Sequence, residues 1–134
     1  MGYIADSSIY MFTECKFYIY SFKERRCCHT LILPRGDLEE SEIDLHSNNE
    51  FQRGIGTVYK EFMYHIYMNR SRCWTLSVNE LATLTHIYAR NLTDLFPNVI
   101  RFIHLCVNRK KINFLVQTKD SAYAVILCSI ENFK

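Results

Sequence analysis

Two neighbouring runs near the end of the chain, "RFIHLCV" at 101–107 and "INFLVQ" at 112–117, constrain the fold most. Both have the composition of strands, and the residues "NRKK" between them suit a hairpin turn. Successive side chains of a strand point to opposite faces, so Phe102 and Ile103 lie on different faces. The predicted sheet is therefore apolar on both faces, whereas an open antiparallel sheet normally presents a polar face to water. Other parts of the chain or a partner must therefore shield each face from water.

The region 46–70, "HSNNEFQRGIGTVYKEFMYHIYMNR", predicts the first helix. Ser47 and Glu50 form a capping box, and the helix is expected over 48–68. Apolar residues recur at three- and four-residue steps, which gives one stripe for the core. The members of that stripe are Phe51, Ile55, Val58, Phe62 and Ile66.

Two further helices are predicted. Ser77 and Glu80 form a second capping box, which opens a helix over 78–90. The inward residues of this helix are Val78, Leu81, Leu84 and Tyr88. The last segment, 119–134, fits either state: "AYAVILCSI" has strand-like residues, but its apolar residues also recur on one helical face. We choose the helix.

Strands at 27–33 and 73–76 complete the order β-α-β-α-β-β-α. The predicted fold is α+β, a four-stranded antiparallel sheet with three helices on one face. The other face is expected to pack against the same face of a second copy of the chain, because homodimers are the commonest oligomers. Residues 27–134 form this domain, and residues 1–26 form an N-terminal extension in which "KFYIYSF" is an extra strand or a flap.

Composition narrows the functional classes. Hydrophobic residues make up 49% of the 134-residue chain, which indicates a folded core, and the net charge of +2 does not call for nucleic acid. The six cysteines contain no CxxC pair and suit reduced thiols in the nucleus or cytoplasm. The sequence predicts no membrane span, no metal site and no cofactor. No histidine lies beside a nucleophile in a known motif, so no enzyme is expected.

A resemblance gives these features a context. The chain resembles the enhancer of rudimentary homolog family through "HTLIL" in the first strand and "NEFQRGIGTVYKEF" in the first helix. "WTLSVNEL" and "KD" at 119–120 continue the match, which spans residues 29–133. The family lacks the N-terminal extension and the insertion "RNLTDLFPNVIR". The matching positions in register are Asn49, Glu50, Gly54, Tyr59, Glu61, Thr75 and Leu81.

The resemblance implies a non-enzymatic homodimeric adaptor with the β-α-β-α-β-β-α order. Such adaptors bind short peptide segments of RNA-processing proteins, as in small-RNA and piRNA precursor processing or RNA elimination, and so reach RNA indirectly. Carried over to this chain, it places Leu31 and Leu33 in the dimer interface. Trp74 and Leu76 on the next strand are expected to join them.

The first helix also carries apolar residues beside its core stripe. Tyr59, Met63, Tyr64 and Tyr67 are predicted to border a groove for an apolar peptide segment of a partner, because aromatic residues and methionine offer large and adaptable contacts. The alternative is that they pack under the N-terminal extension or the 91–100 loop.

Two further interpretations of polar residues remain open. Ser41 and Ser47 stand three residues before an acidic residue, so they are candidate phosphorylation sites, although Ser47 is also explained as a helix cap. The rival function is direct RNA binding by an α+β protein through basic turns. The residues for that role are Arg70, Arg72, Arg109, Lys110 and Lys111.

Overall fold

The structure, a computed structural model, describes residues 2–5, 8–13, 16–32, 55–69 and 71–133. Of these residues, 67% lie in strands and 8% in helical turns. The described strands form three antiparallel sheets, and each sheet is built from strands that follow one another in the chain.

The first sheet contains four strands, β1 Gly2–Ala5, β2 Ser8–Phe12, β3 Lys16–Ser21 and β4 Arg26–Ile32. The second contains β5 Ile55–Tyr59, β6 Phe62–Met68, β7 Trp74–Glu80 and β8 His86–Asn91. The third contains β9 Val99–Asn108, β10 Lys111–Thr118 and β11 Tyr123–Ser129. A four-residue helix, α1 Leu92–Leu95, and a 3-10 turn, Ile130–Phe133, complete the described elements.

The α+β prediction is wrong. The described part of the predicted first helix forms β5 and β6. The predicted second helix forms the end of β7 and most of β8, and the predicted last helix forms β11 and the 3-10 turn. The strand predicted at 27–33, the strand in "KFYIYSF" and the hairpin at 101–117 are confirmed. Residues 92–95, predicted as loop, form α1.

The turns explain why the hairpins of the second sheet resemble helices in the sequence. Lys60, between β5 and β6, has a φ of 56°, and Leu84, between β7 and β8, has a φ of 57°. Positive φ in hairpin turns is usually supplied by glycine or asparagine, which mark such turns in a sequence. Here a lysine and a leucine take that conformation, so the sequence carries no turn signal at either position.

The large core lies between the second and third sheets. One face of the second sheet supplies Tyr64, Ile66, Leu76 and Val78, and strands β9 and β10 supply the facing side chains. The 3-10 turn covers one end of this core with Ile130 and Phe133. The facing residues of β9 and β10 are Val99, Phe102, Leu105, Val107, Ile112, Phe114 and Val116.

A smaller core lies on the opposite face of the second sheet. Val58 and Met63 pack there against Phe12 and Phe17 of the first sheet. Gly56 makes this close approach possible, since a Cβ at that position would lie 2.6 Å from a ring atom of Phe12. The second sheet is therefore covered on both faces within a single chain.

The first and third sheets both contact strand β5 of the second sheet. The strands β5 and β9 run side by side, and β1 and β2 also lie against β5. The Tyr59 hydroxyl accepts a hydrogen bond of 2.8 Å from the backbone N–H of Arg109, which joins the ends of β5 and β9. Consecutive meanders stacked face to face with their first strands adjacent resemble the blades of a β-propeller.

The domain boundary predicted between residues 26 and 27 falls at the start of β4. Strand β4 pairs with β3, with Phe17 opposite Leu31, so the boundary would divide the first sheet. Among the described residues, no helix is both long enough and apolar enough to span a membrane.

Candidate functional site

The four residues predicted to border a peptide groove lie on two opposite faces of the second sheet. Tyr59 and Tyr64 face the third sheet and belong to the large core or pack against it. Met63 lies in the smaller core, and Tyr67, on the same face as Met63, is buried and stacks on the His65 ring. Because strand side chains alternate, these residues cannot line one groove.

The residues predicted for the dimer interface are also distributed differently. Leu76 is fully buried in the large core, where a second copy cannot reach it. Trp74 packs edge-on against Phe102, and its indole N–H donates to the Ile100 carbonyl at 3.1 Å. Leu31 lies in β4. Leu33 and the candidate phosphorylation sites at 41 and 47 fall outside the described residues.

An open cavity of about 290 Å³ lies at one corner of the second sheet. Tyr64 and Val78 form its floor, because both are buried core residues. Phe62 and Ile87 are partly exposed and mark its mouth. Five residues line it: Phe62, Tyr64, Val78, Ile87 and Tyr88.

A β-bulge shapes this cavity. Val78 pairs with Tyr88 and the next residue, Asn79, pairs with His86, so Ile87 is an extra residue in β8. A bulge redirects the side chains around it and is common next to binding sites. Here the extra residue places Ile87 in the wall of the cavity beside Tyr88.

Of the two cavity tyrosines, Tyr64 is buried and Tyr88 is half-buried. Burial raises the pKa of Tyr64 to about 12, and the neighbouring Tyr88 and Tyr59 hydroxyls add to the shift. Burial also raises the pKa of Tyr88, although the nearby Arg90 lowers it in part. The Arg90 guanidinium lies 4.8 Å from the Tyr88 ring centroid, in cation–π geometry. The floor, formed by Tyr64 and Val78, is thus an apolar surface suited to an apolar ligand.

The raised pKa of Tyr64 predicts a pH dependence of stability. The folded chain holds the neutral phenol more tightly than the unfolded chain does, so this stabilisation is complete below pH 10 and is lost as the pH rises toward 12. Over that interval, the free energy of unfolding should fall by about 2 kcal/mol more in the wild type than in Tyr64→Phe. Urea unfolding at several pH values measures the difference, and identical profiles for the two proteins would contradict it.

A serine, a histidine and an asparagine meet on the other face of the same sheet. His86 Nδ1 lies 3.2 Å from Ser77 Oγ and 3.1 Å from Asn79 Oδ1. In a catalytic triad the two partners contact different nitrogens of the imidazole ring, whereas here both contact Nδ1. Ser77 and Asn79 are also fully buried. The geometry suits a polar network that fixes β7 against β8, and gives Ser77 no access to a substrate.

Comparisons with known proteins do not assign the chain. No model of a protein family matches it, and no curated protein matches it. The residues that carry the resemblance to the enhancer of rudimentary homolog family lie in strands, in turns or outside the described residues. The fold that this resemblance implies is not the fold of the chain, so its function has to be argued from its own geometry.

Sequence reasoning found only part of the cavity. It singled out Tyr64 for partner binding, but placed Phe62, Val78 and Tyr88 on the core stripes of two helices. The signal that could have identified the site is alternation, because Phe62, Tyr64 and Ile66 share one face of a strand. The role of Ile87 depends on the bulge, which has no marker in the sequence.

Proposed function

We propose that the chain is a non-enzymatic adaptor that binds an extended segment of a partner protein and holds one apolar side chain of that segment in the cavity at Phe62, Tyr64, Val78, Ile87 and Tyr88. The observation that carries the proposal is the cavity itself, which is open to solvent and lined by apolar and aromatic side chains. This keeps the function expected from the sequence, partner-peptide binding, but moves the site.

The size of the cavity favours a side chain over a cofactor. Pockets for small molecules usually measure about 300–1,000 Å³, so 290 Å³ lies at the lower end of that range. A leucine, methionine or phenylalanine side chain suits such a volume. Burying one of these side chains contributes about 1.5–3 kcal/mol, which is enough to select among partner sequences.

The edge of β8 supplies the backbone contacts. Strand β8 pairs with β7 on one side, and no described strand pairs with its other side. An extended peptide can add to such an edge, with backbone hydrogen bonds giving affinity and a pocket giving specificity. Because Ile87 and Tyr88 belong to β8 and also line the cavity, a peptide on this edge would pass the cavity mouth.

The basic residues of the rival RNA-binding interpretation do not converge. Arg109 lies at the end of the second sheet where Tyr59 meets β9, whereas Arg72 lies in the turn after β6, at the opposite end. Strand β6 has seven residues, which separates the two ends by about 20 Å. We therefore propose no direct RNA binding. The RNA-processing context rests only on the resemblance and is not carried into this proposal.

The test is selection from a library of short displayed peptides against the purified chain. We expect the selected peptides to share one apolar anchor residue. Ile87→Glu should weaken their binding at least about tenfold, because a carboxylate at the mouth opposes burial of an apolar group. Fluorescence polarisation with a labelled selected peptide measures the change.

A matched control is Ile100→Glu. Ile100 is exposed to 47% and Ile87 to 45%, so the two substitutions have the same chemistry and similar solvent access. Ile100 lies beside Trp74, at the other end of the second sheet from the cavity. Equal binding by Ile87→Glu and the wild type would contradict the proposal, as would equal loss in the two glutamate variants.

A further inference from the structure

We propose that the chain self-associates by pairing β11 with β11 of a second copy, antiparallel and across a two-fold axis at Ile126. This inference is independent of the cavity, which lies on the second sheet. It starts from the outer face of the third sheet, where Tyr123, Val125 and Leu127 are exposed to 65%, 62% and 70%. They are the most exposed of the large apolar side chains that the structure describes.

These side chains form a continuous apolar surface. They occupy alternate positions of β11 and therefore point to the same face. Leu115 of β10 lies directly opposite Val125 and is itself partly exposed. Contiguous exposed apolar surface is uncommon on proteins that have no partner, and usually marks an interaction site.

Strand β11 is also an unprotected edge. It pairs with β10 in seven consecutive positions without a bulge, and no described strand pairs with its other side. Its sequence, "YAVILCS", contains no charge and no proline. The edge strand β4, in contrast, pairs with β3 through a bulge and carries Arg26. Charges and bulges protect edges from pairing, and β11 has neither.

The position beside β11 has room for another strand. The first and second sheets each contain four described strands, whereas the third contains three. The 3-10 turn that follows β11 does not occupy the position, because Ile130 and Phe133 turn inward to the large core. Ile130 donates its backbone N–H to the Lys110 carbonyl at the start of β10. Within the part of the chain that the structure describes, the edge is open along the whole of β11.

A second copy of β11 fits this edge because the strand is self-complementary. With the axis at Ile126, all seven residues align, and Val125 of one copy faces Leu127 of the other on the outer surface. Ala124 faces Cys128 on the inner surface. No like charges meet, and apolar cross-strand pairs stabilise antiparallel sheets. The third sheets of the two copies then form one continuous sheet of six strands, with the identical interface on both copies that a two-fold dimer requires.

The test uses two variants that remove the same apolar side chains. In Val125→Glu with Leu127→Glu, the axis brings glutamates of the two copies face to face twice. In Val125→Lys with Leu127→Glu, each lysine faces a glutamate of the other copy. Multi-angle light scattering and analytical ultracentrifugation measure the mass and the self-association constant. We expect a dimer for the wild type, a dissociation constant raised at least about a hundredfold for the glutamate pair, and a dimer for the lysine–glutamate pair.

Each outcome decides the proposal. A wild-type chain that stays monomeric at about 100 μM, well above the midpoint of a micromolar dimer, overturns it. A glutamate pair that still dimerises also overturns it, and so does a lysine–glutamate pair as monomeric as the glutamate pair, because the register would then be wrong. Open-ended growth instead of a dimer would overturn it as well, because a two-fold pairing of β11 closes after two copies. Because Val125 and Leu127 are exposed, both variants should keep the wild-type thermal midpoint within a few degrees.

Discussion

Replacing Phe114 by alanine is expected to lower the free energy of unfolding by about 3–5 kcal/mol. The Phe114 side chain is fully buried in the large core. Its ring centroid lies 5.5 Å from that of Phe102, 5.9 Å from that of Phe133 and 6.0 Å from that of Phe96. The substitution leaves a cavity and removes three aromatic contacts. Since small domains are stable by only about 5–15 kcal/mol, urea unfolding should show a large shift of the midpoint.

The neighbouring residue provides the control. Leu115 follows Phe114 in β10 but points to the outer face and is 36% exposed. Leu115→Ala is therefore expected to cost less than about 1 kcal/mol, measured at a concentration where self-association does not contribute. If the two substitutions cost the same, the assignment of the inner and outer faces of β10 is wrong.

Gly56→Ala is expected to destabilise the chain by about 1–3 kcal/mol, which is the reverse of the usual effect. In an open strand, alanine in place of glycine stabilises by about 0.4–1 kcal/mol, because it restricts the unfolded chain. At Gly56 the new methyl group would lie 2.6–2.8 Å from three atoms of the Phe12 ring, and Phe12 is buried. The first and second sheets would have to separate. The sign of the change, measured by urea unfolding, decides whether they are in contact there.

A double-mutant cycle identifies the contact. Phe12→Leu shortens the ring side chain and leaves room for a methyl group at residue 56. The two substitutions together should therefore cost less than the sum of their separate costs, by about 0.5–3 kcal/mol. Strict additivity would show that the methyl group and the ring do not meet.

The third sheet shows what the sequence could predict. Strands β9 and β10 are joined by a short turn with loop-like composition, and their pairing was predicted correctly. The sequence of β11 fits a strand and a helix equally, because it is rich in strand-forming residues and its apolar residues also recur on one helical face. The helix was predicted. The turn before β11 contains Ser121, which has a φ of 66°. Serine does not mark that conformation in a sequence, so the helix remained credible.

The second sheet was mispredicted for a different reason. Strands β6 and β7 have buried residues at five consecutive positions, because the sheet is covered on both faces. A strand buried on both faces loses the alternation of apolar and polar residues that identifies a strand. In β6, "FMYHIYM", the continuous apolar run instead resembled a helix with a wide apolar stripe. The misassigned helix then supported a resemblance to a family with a different fold.

The candidate site depends on tertiary structure that sequence patterns do not encode. The cavity exists because the third sheet covers Tyr64 and Val78 but leaves Phe62 and Ile87 partly exposed. The sequence did indicate that the apolar residues outside the predicted core stripe would contact a partner peptide or another segment of the chain. Which residues are covered within one chain, and which remain for a partner, depends on how the sheets stack.

The two cores differ in size among the residues that the structure describes, and this affects how the chain opens. Of the described side chains, only Phe12, Phe17, Val58 and Met63 are buried in the smaller core, whereas the large core contains many more. Proteins open locally where few apolar contacts hold a segment. The first sheet can therefore detach as a separate cooperative unit, exchanging its amide hydrogens early, while the second and third sheets stay folded. Thermal denaturation of this chain would then proceed in two stages.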